Sequence, residues 1–165
     1  MRSPRVRLTS AVAALPVPAG RLARLATAAL RRMTRLRPGE VAGGLRRGLP
    51  RRPITVSLVV LDDPAIRRLN RRFLGHDYAT DVLSFNLQPG TLFGEVYISV
   101  TTANREAKMR GIAPSEELLR YAIHGMLHLF GHDDHRPEDR RRMGSRQEAL
   151  LRYVQTTEAR RTRSG

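Results

Sequence analysis

The sequence predicts an α+β domain in which a small mixed β-sheet packs with about five helices. Short β-branched runs such as "ITVSLVVLD" (54–62) lie among helical segments without strict strand–helix alternation. Apolar residues also recur at helical spacing through long segments, most clearly in "PSEELLRYAIHGMLHLF" (114–130). A chain of 165 residues can bury one substantial core but not two comfortable ones. Residues 1–155 are therefore expected to form a single domain, followed by a basic, disordered tail at 156–165.

In chain order, "RVRLTSAV" (5–12) alternates weakly and reads as a first strand. Over residues 19–36, Leu22, Leu25, Ala29 and Met33 share one face with arginines opposite, an amphipathic helix closed by "RPGE". "GGLRRGLPRRP" (43–53) is a basic loop broken by Gly and Pro. Residues 54–62 are nearly continuous in apolar side chains and read as a buried strand. "DDPAIRRLNRRFLG" then opens a helix, with Asp63 as cap, Pro64 as first helical residue and Gly75 near the end. "TDVLSFNL" (80–87) and "FGEVYISV" (93–100) read as two strands separated by a turn at "QPGTL". A helix follows in "TTANREAKMRG", and the 114–130 helix carries early acids, Glu116 and Glu117, that suit its N-terminal dipole. Gly131 stops it, and "PEDRRRMGSRQEALLRYVQ" (137–155) supplies the last helix.

There are no cysteines, which excludes disulfides and thiolate metal sites, so any metal must be held by His, Asp or Glu. Lys plus Arg total 30 against 15 Asp plus Glu, a formal charge of +15, and every basic residue except Lys108 is arginine. Guanidinium forks match phosphate geometry, so the surface suits a polyanion, most plausibly nucleic acid. Codon bias can favour Arg over Lys, but it does not account for the shortage of acids. No run approaches the roughly 18–20 apolar residues of a membrane span. The start, with Arg2, Arg5 and Arg7 before "LTSAVAALPVPAG", loosely resembles a leader. Given its two prolines and the helical spacing that follows, residues 1–50 are expected to belong to the mature fold, in the cytoplasm, with an Arg-rich leader as the alternative.

The segment "HGMLHLFGHDDH" (124–135) holds four histidines and two aspartates. Positions four apart on a helix project from one face, so His124 and His128 can chelate one ion. His132 would lie about 12 Å up the axis if the helix continued, beyond the reach of bonds of about 2.0–2.1 Å. Gly131 breaks the helix where a loop must fold back to offer a third ligand, as in H-x-x-x-H-x-x-G-x-x-H sites, so the helix–turn segment resembles that of zinc hydrolases. Asp134 and His135 both fall in that loop. His132 is expected outside the ligand set, and Asp133 is expected to orient a ligand. The glutamate base of H-E-x-x-H is replaced by Gly125, which is expected to let substrate approach closely.

These residues resemble the YbeY endoribonucleases, a family of rRNA maturation factors. The family pattern H-G-x-L-H-L-x-G-Y-D-H is matched by "HGMLHLFGHDD", with His132 in place of tyrosine; "LNRRFLGHDYATDVLSF" (69–85) and "LFGEVYIS" (92–99) match two further segments. The resemblance covers about residues 54 to 150. It implies a single-strand-specific, zinc-dependent endoribonuclease with one ion, acting in 16S rRNA 3′-end maturation and ribosome quality control with the small ribosomal subunit as partner. The family's third ligand, a histidine, falls where this chain has Asp134, and Met143 keeps the family's register after it, so Asp134 is favoured over His135. Many members carry an RNA-contacting arginine where this chain has Leu74; Arg71 or Arg72 is a candidate substitute, unless both are simply solvated charges.

Bound zinc brings the pKa of water toward about 7, so a phosphodiesterase can manage without a strong protein base. Asp81 and Asp133 are the weak candidates for one. In "TDVLSF", Val82, Leu83 and Phe85 are expected in the core, with Asp81 pairing locally; the rival view lines Thr80, Asp81 and Ser84 along a substrate groove. Two other functions stay open: a metalloprotease-like hydrolase, and a non-catalytic assembly factor with a structural metal.

Overall fold

The computed structural model describes residues 3–35, 54–87 and 94–164; the expected loop at 43–53 and turn at 88–92 lie outside them. The described elements are β1 (Arg5–Ser10), α1 (Ala19–Met33), β2 (Thr55–Leu61), α2 (Asp63–Leu74), β3 (Val82–Asn86), β4 (Gly94–Ser99), α3 (Val100–Arg110), α4 (Pro114–Leu129) and α5 (Pro137–Arg163). The strands form one mixed sheet in the order β1-β2-β4-β3. β1, β2 and β4 run parallel, and β3 returns antiparallel against β4, with Val82 opposite Ile98 and Asn86 opposite Gly94.

Alternation along β2 and β4 divides the core. Val56, Leu58, Val60, Val96 and Ile98 point into the large core, shared with α1, α4 and α5. On the other face Leu61 and Leu83 pack with Ile66 of α2, so the near-continuous apolar run of β2 reflects helices on both sides.

Two local expectations are corrected. Asp62, not Asp63, caps α2: its side chain accepts from the Ala65 N–H at 2.8 Å. Asp63, already helical, reaches the next helix instead, taking the Ser99 hydroxyl, the Thr102 hydroxyl at 2.8 Å and Arg105 Nη1 at 3.3 Å. Two adjacent aspartates satisfy the same capping pattern, and only the neighbouring helix distinguishes them. The second correction is at the C-terminus, where α5 runs to Arg163 and residues 156–163 are helical rather than a disordered tail. Glu158 explains the extension, because it pairs with Arg24 at 2.7 Å and Arg21 at 3.7 Å across on α1. The arginines of the last turn also suit the helix C-terminus. Among the described residues no helix is long and apolar enough to cross a membrane.

Candidate metal centre

α4 is held on the sheet by its small residue. A Cβ at Gly125 would lie 2.3 Å from Val96 Cγ1 and 2.9 Å from Val82 Cγ1, so only glycine lets the helix sit this close to β3 and β4. Ser84 completes the contact by donating from its hydroxyl to the Gly125 carbonyl at 3.0 Å. Both residues therefore serve the helix–sheet junction. Gly125 faces the sheet, which corrects the expectation that it lets substrate approach closely, and Ser84 is turned to α4 rather than along the groove of the rival view.

With Gly125 inward, His124 and His128 stand together at the edge of the helix, their Nε2 atoms 3.1 Å apart. α4 ends at Leu129 with Phe130 as its C-cap, and Gly131 adopts φ 83°, a left-handed conformation open to glycine at little cost. The chain thus turns back and brings Asp134 Oδ2 to 3.5 Å from His124 Nε2 and 3.8 Å from His128 Nε2.

The proton positions follow from the far side of each ring. His124 Nδ1 lies 2.9 Å from Gln147 Oε1, and His128 Nδ1 lies 3.0 Å from the His132 carbonyl. Both oxygens only accept, so each Nδ1 carries the proton and each Nε2 presents a lone pair. Gln147 is fixed in this orientation by its amide nitrogen, which donates to Glu148 Oε1 at 3.3 Å. Burial, and then the neighbouring His124, hold His128 below the ordinary histidine pKa, which favours the neutral form a metal requires. Two lone pairs at 3.1 Å and a carboxylate oxygen make an electron-rich triangle that a cation would satisfy. The triangle also has the right size: a point about 2.0 Å from all three atoms exists, matching zinc–nitrogen and zinc–carboxylate bonds. His124, His128 and Asp134 could therefore hold a divalent ion.

The other candidates are distributed differently. His135 is 86% exposed and pairs with Asp133, so it stands apart from the histidine pair. Asp133 Oδ1 also accepts from the backbone N–H of Asp134 at 2.8 Å and of His135 at 3.2 Å, shaping the turn that presents Asp134. Its pKa is lowered by the His135 hydrogen bond, and it is tied to the loop rather than positioned as a base. Arg140 Nε holds the same loop by donating to the Asp134 carbonyl at 3.1 Å. His132 is half-buried, its pKa pushed down to about 4 by burial and then by Arg146, and it serves through its carbonyl.

Asp81 does approach the centre. With Thr80, Tyr121, His124 and Gln147 it lines a cleft of about 470 Å3. Its Oδ1 accepts from Thr80 Oγ1 at 3.0 Å and the Val82 N–H at 2.9 Å, the local pairing expected. Arg110 and Arg120, also on this cleft, are paired with glutamates: Arg110 with Glu117 at 3.1 Å, and Arg120 with Glu116, Glu117 and Glu148. Arg71 and Arg72 lie on exposed α2, Arg71 3.9 Å from Asp77 and Arg72 over the Phe73 ring. Sequence reasoning missed Gln147 and Asn70. Gln147 had no local signal, being 23 residues from His124. Asn70 was visible only as part of "LN"; it is a buried polar side chain whose amide donates to the Tyr78 carbonyl at 3.0 Å, pinning the loop after α2.

Comparison with known proteins identifies the family and the fold. Residues 44–155 match the family described as Endoribonuclease YbeY. A protein of that name from Myxococcus xanthus is 49% identical over 105 residues, covering 59% of this chain and 36% of its own length. Another from an Anaeromyxobacter species is 45% identical over 108 residues, covering 63% of this chain and 56% of its own. The chain thus spans about a third to just over half the length of these two relatives. The solution structure of TM1509 from Thermotoga maritima superposes with a TM-score of 0.61 over 94% of this chain and 93% of that one, at 22% identity, and shares the fold. The match over residues 44–155, which contains both histidines, Asp134 and Gln147, shows that this chain belongs to the YbeY family.

Proposed function

We propose that this chain is a zinc-dependent endoribonuclease that cuts single-stranded RNA, acting in the cytoplasm on the 3′ end of 16S rRNA and in ribosome quality control. The observation that carries the reading is the pair of Nε2 lone pairs facing each other at 3.1 Å, with Asp134 closing the triangle. Two imidazoles and one carboxylate favour zinc over magnesium or calcium, which prefer all-oxygen sites. When bound, such an ion supplies an acidified water and withdraws charge from a phosphodiester oxygen.

The protein's own groups do the rest. Gln147 and the His132 carbonyl hold the two rings in the ligating tautomer. Asp134 supplies the third donor and partly neutralises the ion. To Asp81, which lines the cleft with His124, we assign the role of taking a proton from an attacking water. The position beside the first histidine offers no base, because Gly125 has no side chain and Val96 and Val82 leave no room for one.

The test is to compare metal content and cleavage of single-stranded RNA in the wild-type chain and in His128→Ala. The expected result is zinc in the wild type at one ion per chain, and loss of both zinc and cleavage in the variant. Unchanged cleavage by a metal-free variant would overturn the mechanism. RNA binding without cleavage in either protein would instead support an assembly factor with a structural metal.

A further inference from the structure

We propose that Tyr78, with His76 stacked beside it, forms a platform on which one unpaired RNA base stacks between the metal cleft and an arginine groove on α2. The inference rests on the endoribonuclease reading and extends it to a specific subsite.

The geometry begins with two adjoining clefts. Tyr78 and Ala79 line the cleft that contains His124, and they also line a second of about 720 Å3 bordered by Arg67, Arg68 and Arg71. The cationic groups that can hold phosphate lie on the second side. At the metal cleft, Arg110 and Arg120 are paired with glutamates. On α2, Arg68 has no carboxylate partner among the described residues, and Arg71 approaches Asp77 only at 3.9 Å. A strand gripped by these arginines and cut at the metal centre must cross Tyr78.

The residue is suited to that crossing. Tyr78 is 57% exposed, although a ring of this size usually buries most of its surface. It is nevertheless held in place. Its carbonyl accepts from buried Asn70, and its ring lies nearly parallel to His76, at 13° with centroids 5.5 Å apart. Arg67 grips Asp77, between these two aromatics in sequence, through two 3.0 Å bonds. A fixed, exposed aromatic beside cationic side chains, here Arg68 and the weakly paired Arg71, is the arrangement by which single-stranded nucleic acid is bound without strong sequence preference.

Binding is measured by fluorescence anisotropy with two cleavage-resistant probes, 2′-O-methyl oligoadenylate and an abasic strand of equal length. Tyr78→Ala is expected to bind oligoadenylate roughly 5- to 100-fold more weakly than wild type, with Tyr78→Phe close to wild type. All three proteins should bind the abasic strand equally, since only the phosphates remain to be held. Thermal melts of the variants check that the exposed substitution leaves the fold intact. Equal binding of oligoadenylate by wild type and Tyr78→Ala, in a protein that still cuts RNA, overturns the platform alone. A wild type that neither binds nor cuts RNA overturns the endoribonuclease reading as well.

Discussion

Asp134 and His135 are adjacent, and both carry a side chain able to bind zinc, yet their surroundings separate them. Asp133 captures His135 and turns it outward, while the same carboxylate accepts the Asp134 N–H and aims that residue at the histidines. Asp134→Ala is therefore expected to lose most of its zinc, whereas His135→Ala retains it; metal analysis of the two purified variants checks this. Gly125 is equally specific. Adding one methyl places a carbon 2.3 Å from Val96 Cγ1 on a central strand, and neither strand nor helix can retreat without opening the core. Overpacking costs about 1–3 kcal/mol against a helix-propensity gain of about 1 kcal/mol, so Gly125→Ala should show a net loss of up to about 2 kcal/mol in denaturant titration rather than the usual gain.

Among the elements, α2 joins the rest of the fold through Asp63. Partial burial raises this carboxyl's pKa, but hydrogen bonds from Ser99, Thr102 and Arg105 outweigh it and hold the group below its ordinary 3.8. A lowered folded pKa means that the ionised group stabilises the fold above the unfolded value, and that this contribution disappears as pH falls through the folded one. Asp63→Asn should therefore be less stable than wild type at neutral pH, with the gap closing below about pH 4. Urea midpoints measured across that range provide the check. The sequence placed both aspartates at the start of this helix but gave the cap to Asp63, because Ser99 and Thr102, which engage that residue, lie more than thirty residues away.

For the whole molecule, charge is arranged rather than merely accumulated. The formal excess is +15, yet Arg110 and Arg120 beside the metal cleft are matched by glutamates, whereas on α2 Arg68 has no carboxylate partner among the described residues and Arg71 approaches Asp77 only at 3.9 Å. RNA binding should weaken steeply with salt, because each phosphate held by an arginine releases counterions. Replacing Arg68 and Arg71 together by glutamine should reduce the slope of log K against log salt by roughly 1.4, about 0.7 for each contact to a single strand. Titration of an RNA strand at several salt concentrations measures it. An unchanged slope would place the phosphates elsewhere on the surface.

The sequence by itself determined what depends on neighbours along the chain: nearly every helix and strand, the shared face of His124 and His128, and the helix stop at Gly131. Hydrophobic periodicity and i, i+4 spacing are local properties, so they can be read without a fold. The tertiary structure alone decided which side chain fixes the tautomer of His124 and why position 125 is glycine, and it brought Asp134, already favoured by the family register, to the histidine face. Those answers come from Gln147, Val96 and the folded-back 131–135 loop, whose distances to the α4 histidine face are set by packing between elements rather than by spacing within one.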